Sequence, residues 1–370
     1  MRIAIIAKLL APISSSSLGG QESFIYYLSK ELVRRNHHIT VFASGDSEIE
    51  NVKIFPTIKE SPWSKARRLS PEKQKVIYRN TTEQSDGYIK ILLYLKENEK
   101  DFDIVHDNAC DSLTLLMGNL IQTPVVTTLH VPTAQFRSVV LDQKNKKNYF
   151  VAISKRQKFL SKNIKASDVN YNGTDEKKFE FSPTDNGYLA WIGRISPEKG
   201  LEKAIEISDR TNIPLKFGGT IMNKKYFMSK IEPKIKKAKN VKFLGKLAHQ
   251  ELVHFYQNAK VLLFPIDWEE PFGLVMIEAM SCGTPIIAFK KGSVPEIILG
   301  GKTGFICRPK DVDSMIQVVK KIYKMSPDRY QKMRLDCRKH VENKFTIEKM
   351  VDGYEKIYRK VIAKNKSKNK

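Results

Sequence analysis

Glu270 and Glu278 stand eight positions apart in the stretch EEPFGLVMIEAMSCGTPIIAFKKGSVPEI (269–297), with Pro271, Phe272 and Gly273 between them. Carboxylates spaced in this way can each grip a pair of hydroxyls on a bound ligand. The turn chemistry of Pro271 and Gly273 leaves backbone N–H groups free to face outward. A helix starting near Gly273 would add the unpaired donors and partial positive charge of its first turn, which suit an anion. Most glutamates are solvated surface charges. Glu278, however, is predicted inside an otherwise apolar helix (Leu274, Val275, Met276, Ile277, Ala279, Met280), where a carboxylate needs a partner. A second chemical cluster lies in GRISPEKG (193–200), where Arg194 and Lys199 flank the turn from an apolar run into a helix. Two fixed cations there suit a diphosphate leaving group, because they put positive charge where negative charge accumulates.

The elements that must position these residues follow from hydrophobic patterning. VLLFPI (261–266) and PIIAF (285–289) have strand length and bracket the two glutamates, so strand, turn, helix and strand are predicted. YLAWI, PLKFGG and VKFLG continue the same series, and TGFICRP closes it. Earlier in the chain, RIAIIA (2–7), HITVFAS (38–44), DIVHDN (103–108), PVVTTLH (124–130) and FVAIS (150–154) read as buried parallel strands. Helical stretches alternate with them, so two doubly wound α/β domains are expected, within what 370 residues allow. Gly19 and Gly20 at the first helix entrance allow an anionic group close to the backbone, or simply turn the chain. No G-x-G-x-x-G occurs there, which counts against a dinucleotide-dependent dehydrogenase.

In order, LGGQES, TTLH, GRISPEKG, EPFGLVMIE and GTPIIAFKKGSVPEI resemble the motifs of family 4 glycosyltransferases, over nearly the whole chain. The resemblance implies a GT-B fold, two Rossmann-like domains facing each other across a cleft, and retaining transfer of a sugar from a nucleotide sugar such as a UDP- or GDP-sugar. It implies that Glu278 holds the ribose, and that Glu270, Phe272 and Gly273 grip the donor sugar. Arg194, Lys199, Gly20, Gly273 and Leu274 would meet the diphosphate, with no metal and no other cofactor. His130 would hydrogen-bond the donor sugar and stabilise positive charge at the anomeric carbon, partly through its backbone carbonyl. His106, without such support, reads as structural or acceptor-facing. No side chain serves as a covalent nucleophile, and the leaving phosphate would take the acceptor proton. The implied acceptor is a glycan, a lipid-linked sugar or a small molecule. Two alternatives are a sugar-nucleotide epimerase of the same fold, which lacks the GRISPEKG and EPFGLVMIE pair, and a non-catalytic sensor on a decayed transferase.

Expected boundaries are 1–180 for the acceptor-side domain, 181–345 for the donor domain, 346–364 for a helix crossing back to the first domain, and a disordered basic tail over 365–370. The stripe Ile347, Val351, Tyr354, Tyr358 and Val361 predicts that the helix packs as interdomain core. Residues 56–80 read as a long exposed connection. The net charge of +24 is concentrated in the second half, with a dense patch over 224–246. It reads either as attraction to an anionic membrane surface or as a lysine-rich compositional bias. No nucleic-acid module accompanies it. No zinc-type spacing joins the four cysteines, and no signal peptide or membrane-length apolar run appears, so a cytoplasmic protein, peripheral at most to the inner membrane face, is expected.

Overall fold

A computed structural model describes residues 1–17, 19–69, 77, 82–136 and 148–367. Leu18 of LGGQES, most of 70–81 and the last three lysine-rich positions therefore lie outside the described residues. The chain divides into two units, Met1–Asn172 with Ile347–Lys370, and Gly173–Thr346.

The first unit begins β1 (Arg2–Ile6), α1 (Gly20–Arg34), β2 (His38–Ser44), β3 (Lys53–Ile58) and α2 (Thr82–Glu97). It continues through β4 (Ile104–Asp107), β5 (Val125–Leu129), β6 (Asn148–Ala152) and β7 (Asp168–Val169). The strands form one seven-stranded sheet in the order β3-β2-β1-β4-β5-β6-β7, and each neighbouring pair is parallel. Ile3, Ala4, Ile5 and Ile6 of β1 are completely buried, as the continuous apolar run predicts for a central strand covered on both faces. β3 is not among the strands read from the sequence, and its second half overlaps the segment read as a connection. Its Pro56 obscures the strand pattern, and an edge strand is where the missing N–H is tolerated. A short helix, Pro62–Ala66, follows, capped by Ser61.

The second unit runs through β8 (Tyr188–Ile192), α3 (Leu201–Thr211), β9 (Leu215–Gly218), β10 (Val241–Phe243), α4 (His249–Gln257) and β11 (Ala259–Phe264). Then come α5 (Leu274–Ser281), β12 (Ile286–Phe289), β13 (Gly304–Cys307), α6 (Val312–Tyr323) and α7 (Pro327–Lys344). Six parallel strands order as β10-β9-β8-β11-β12-β13. The direction of winding reverses between β8 and β11, and open α/β sheets bind ligands beyond the carboxyl ends of strands at such a reversal.

The division after Asn172 precedes the expected boundary at 180. Residues 174–184 are tied to the second unit by two arginines, Arg334 and Arg338. Arg334 has no exposed surface and donates to the carbonyls of Ser182, Thr184 and Gln257, while Arg338 reaches those of Glu176 and Phe179. A final helix, α8 (Ile347–Lys366), returns to the first unit. Its stripe shares one core with β1, β2 and α1, so it is core of that unit rather than interdomain core. Helix also continues past residue 364, where a disordered tail was expected, with Lys364 and Lys366 in its last turn, a favourable place for cations.

Candidate functional site

At the reversal point of the second unit, the loop after β8 meets the loop after β11. Gly200, at φ +75°, lets the first loop lie against the second: a methyl there would fall 2.0 Å from the Pro265 carbonyl oxygen. The amide of Asp267 donates to the Glu198 carbonyl across the same junction (2.8 Å). These contacts bring Lys199 to Glu270, Nζ to Oε2 at 2.5 Å, with both side chains only 13% exposed. Trp268 completes the arrangement. Its ring lies 4.5 Å from Lys199 Nζ, and its Nε1 donates to the same Glu270 oxygen (3.0 Å). The cation assigned to a diphosphate and the carboxylate assigned to a sugar are thus paired with one another. Arg194, by contrast, is exposed, and no hydrogen bond or ion pair holds its guanidinium among the described residues.

A third loop, after β12, fixes the Glu270 turn from behind. Ser293 N donates to the Glu270 carbonyl (3.0 Å), Ser293 Oγ to that of Phe272 (2.5 Å), and Gly292 N to Glu269 Oε2 (3.1 Å). Phe272 is buried beneath, edge-on to Phe345. Gly273, at φ +83°, turns the chain into α5, whose first residue is Leu274; no side chain caps that helix. Of its first-turn amides, that of Met276 donates to the Gly273 carbonyl (3.1 Å).

Glu278 lies on α5, and its Oε2 accepts from Tyr256 Oη on α4 at 3.0 Å. Burial pushes its carboxyl up to about 7, against the opposing pull of the Tyr256 hydrogen bond. The partner that an acid in this apolar helix requires is thus partly an internal tyrosine. Nothing local in HQELVHFYQ signals that contact, and the Trp268 contacts are equally silent in sequence.

The first unit holds the remaining candidates at the carboxyl end of its sheet. Gly20 opens α1, and the neighbouring Gly19 packs against Glu22 of the first turn, where a methyl would fall 1.9 Å from a carboxyl oxygen. Gln21 donates to the Asn108 carbonyl. His130 follows β5; its Nε2 lies 2.9 Å from Asn108 Oδ1, while Asn108 Nδ2 donates to the His106 carbonyl (3.2 Å). That second bond orients the amide, so Nε2 of His130 must carry the proton. Phe24 packs edge-on against the ring at 4.7 Å. Burial, helped by the charge of Lys8, pulls His130 down to about 3, so the ring is neutral. His106 is wholly buried and hydrogen-bonded to Thr128 and Tyr358, which makes it a core residue. Among the described residues, no helix is long and apolar enough to cross a membrane.

Two doubly wound parallel α/β units are the architecture of the GT-B fold, and comparison with known proteins agrees. The crystal structure of sucrose-phosphate synthase from Thermosynechococcus elongatus superposes with a TM-score of 0.76 at 17% identity, covering 98% of this chain and 100% of that one. That of Anabaena HepE in complex with UDP-glucose gives 0.73 at 17% identity, covering all of both chains. An uncharacterised glycosyltransferase of Methanocaldococcus jannaschii is 25% identical over 96% of this chain and 98% of its own. Residues 18–169 match the family described as Glycosyltransferase Family 4, and residues 173–343 that described as Glycosyl transferases group 1. The chain belongs to the family 4 glycosyltransferases.

Proposed function

We propose that this glycosyltransferase moves a hexose from a nucleotide sugar, a UDP- or GDP-sugar, to a hydroxyl acceptor with retention and without a metal. The observation that carries the reading is the Lys199–Glu270 pair at the strand reversal beside the uncapped start of α5. A diphosphate arriving there meets Lys199, the exposed Arg194 and the amides of Gly273 and Leu274, which together supply the charge stabilisation that departure requires. Gly20 of the first unit is assigned to the same phosphates. Glu270, held by Lys199 and Trp268, accepts from hydroxyls of the sugar, with Phe272 supporting the turn beneath. Glu278 accepts from the ribose hydroxyls, and its second oxygen leaves capacity for both. Neutral His130, held by Asn108, is assigned to the donor sugar and to the positive charge that develops at its anomeric carbon. The bond from the anomeric carbon to phosphate oxygen breaks, the acceptor oxygen bonds to that carbon, and its proton passes to the departing phosphate. The acceptor is a glycan, a lipid-linked sugar or a small molecule. UDP-glucose in the complex of Anabaena HepE supports a uridine donor as the first to test. The experiment is a panel of nucleotide sugars, read by thermal shift and slow donor hydrolysis with EDTA present. Stabilisation and hydrolysis by one donor support the reading, and a strict requirement for a divalent cation overturns the arginine–lysine phosphate site.

A further inference from the structure

In the second unit, residues 221–246 carry nine lysines against a single acid, Glu232. The helical stretch 224–237 buries Tyr226 and Ile231 in the core of the unit and turns its other face to solvent. On that outer face Met228 is 54% exposed, and just ahead of the helix Ile221 and Met222 are 37% and 60% exposed. Lys224 and Lys225 lie one helical turn from Met228. Lys224, Lys225, Lys230, Lys237, Lys239 and Lys242 take no ion pair among the described residues, while Lys234 and Lys236 reach Glu202 at 3.7 Å and Glu232 at 3.0 Å. Lys242 stands on β10, at the sheet edge, where a lysine discourages strand pairing. Edge protection gives no reason for bare methionines beside the other lysines.

Flexible apolar side chains in a field of unpaired ammonium groups match one kind of surface, with acyl chains at its boundary and phosphates above it. Base stacking would call instead for exposed aromatic rings, and here Tyr226 is buried and Phe227 half-buried. We propose that 221–246 is a docking surface for an anionic phospholipid bilayer, with Ile221, Met222 and Met228 entering the headgroup boundary and the lysines meeting lipid phosphates.

The test is vesicle flotation of the full chain. Phosphatidylcholine vesicles carrying about 30% phosphatidylglycerol should carry the protein at low salt, and phosphatidylcholine alone should not. Lys225→Glu/Lys230→Glu should lower partitioning at least tenfold, from roughly fivefold per lysine removed. Lys320→Glu/Lys324→Glu makes the same charge change at exposed positions at the end of α6 and just after it, and should lower it far less. Met222→Ser/Met228→Ser should leave binding in about 0.1 M salt and abolish the part that survives about 0.5 M salt, where charge is screened. All six positions substituted in the paired variants are exposed, and circular dichroism of each confirms folding. Equal losses from both lysine pairs would assign binding to net charge and overturn the patch. Binding to neutral vesicles alike, or retention of RNA without retention of anionic vesicles, overturns the lipid as partner.

Discussion

Glu278 is the residue where burial, charge and ligand binding oppose each other most directly. Its carboxyl titrates near 7, so at lower pH it is protonated and gives up its strength as an acceptor. If it holds the ribose in ionised form, affinity for UDP-glucose should rise as pH increases through 7, by up to about tenfold per unit below it. UDP-glucose is the probe because its diphosphate has no ionisation in that range. Calorimetric titration across about pH 5.5 to 8.5 measures this. Glu278→Gln should flatten the profile, and Tyr256→Phe should move its midpoint upward, since the tyrosine bond lowers the carboxyl pKa. Glu278→Ala should cost about 1.5–3 kcal/mol of affinity. The unliganded protein should show the reverse sign. The folded pKa is raised above the ordinary carboxylate value, so this group's stabilising contribution is full at acid pH and is lost as pH rises through 7. A flat affinity profile in the unsubstituted protein would remove Glu278 from the ribose.

The paired cation is tested by Lys199→Ala, which should lower kcat by about 10²- to 10³-fold, the loss typical of one charge-stabilising donor. A change confined to KM would mean that Lys199 serves ground-state binding alone. His130 depends on a neighbour in a different way. Asn108→Leu removes the acceptor of Nε2–H and frees the ring to adopt either tautomer, whereas Asn108→Asp keeps an acceptor in place. Nitrogen NMR of labelled histidine should show the Nε2–H tautomer in the unsubstituted protein and a mixture in the leucine variant, with turnover following the tautomer.

At the scale of elements, the Glu270 turn is built by three loops, and Gly292 is where the third presses directly on the Glu270 backbone. It sits at φ +53°, and a methyl would fall 2.3 Å from the carbonyl oxygen and 2.5 Å from the nitrogen of Glu270, both backbone atoms that cannot swing aside. Gly292→Ala should therefore shift the Glu270 turn, cost about 1–3 kcal/mol in strain, and weaken donor binding beyond what the lost stability explains. Thermal denaturation with and without donor separates the two effects. This element also marks the limit of what the sequence could tell. The EPFG turn and the helix after it were legible because proline, glycine and an apolar run signal locally. The central strands β1 and β12 were legible for a related reason, since burial on both faces leaves an uninterrupted apolar run. What brings Lys199 onto Glu270, Tyr256 onto Glu278 and Ser293 under Phe272 is contact between loops far apart in the chain, which no spacing encodes. β3 was missed because Pro56 breaks the strand signal at an edge, where the fold tolerates it.

Over the whole molecule, chain order and unit composition do not coincide. The first unit is closed by residues that follow the entire second unit, and α8 contributes Ile347, Met350, Val351, Tyr354, Ile357, Tyr358 and Val361 to its core. Polar contacts lock the helix in place. Tyr358 meets buried His106 at 2.6 Å, and Arg35, just after α1, pairs with Asp352 and Glu355. Burying apolar side chains of this size stabilises by about 1.5–3 kcal/mol each, so removing the helix takes away an amount comparable to the whole ~5–15 kcal/mol that holds an ordinary domain folded. The second unit is one continuous segment with its own core and its own arginine anchors. Ending the chain at Thr346 should therefore unfold the first unit and leave the second intact. Calorimetry should show the truncated protein losing one transition while retaining another, and the isolated segment 173–346 should melt cooperatively at that same temperature. It should also still bind a nucleoside diphosphate through Arg194, Lys199 and Glu278, because all three lie within it. A fragment that folds without binding would place the principal nucleotide contacts in the first unit and withdraw these assignments.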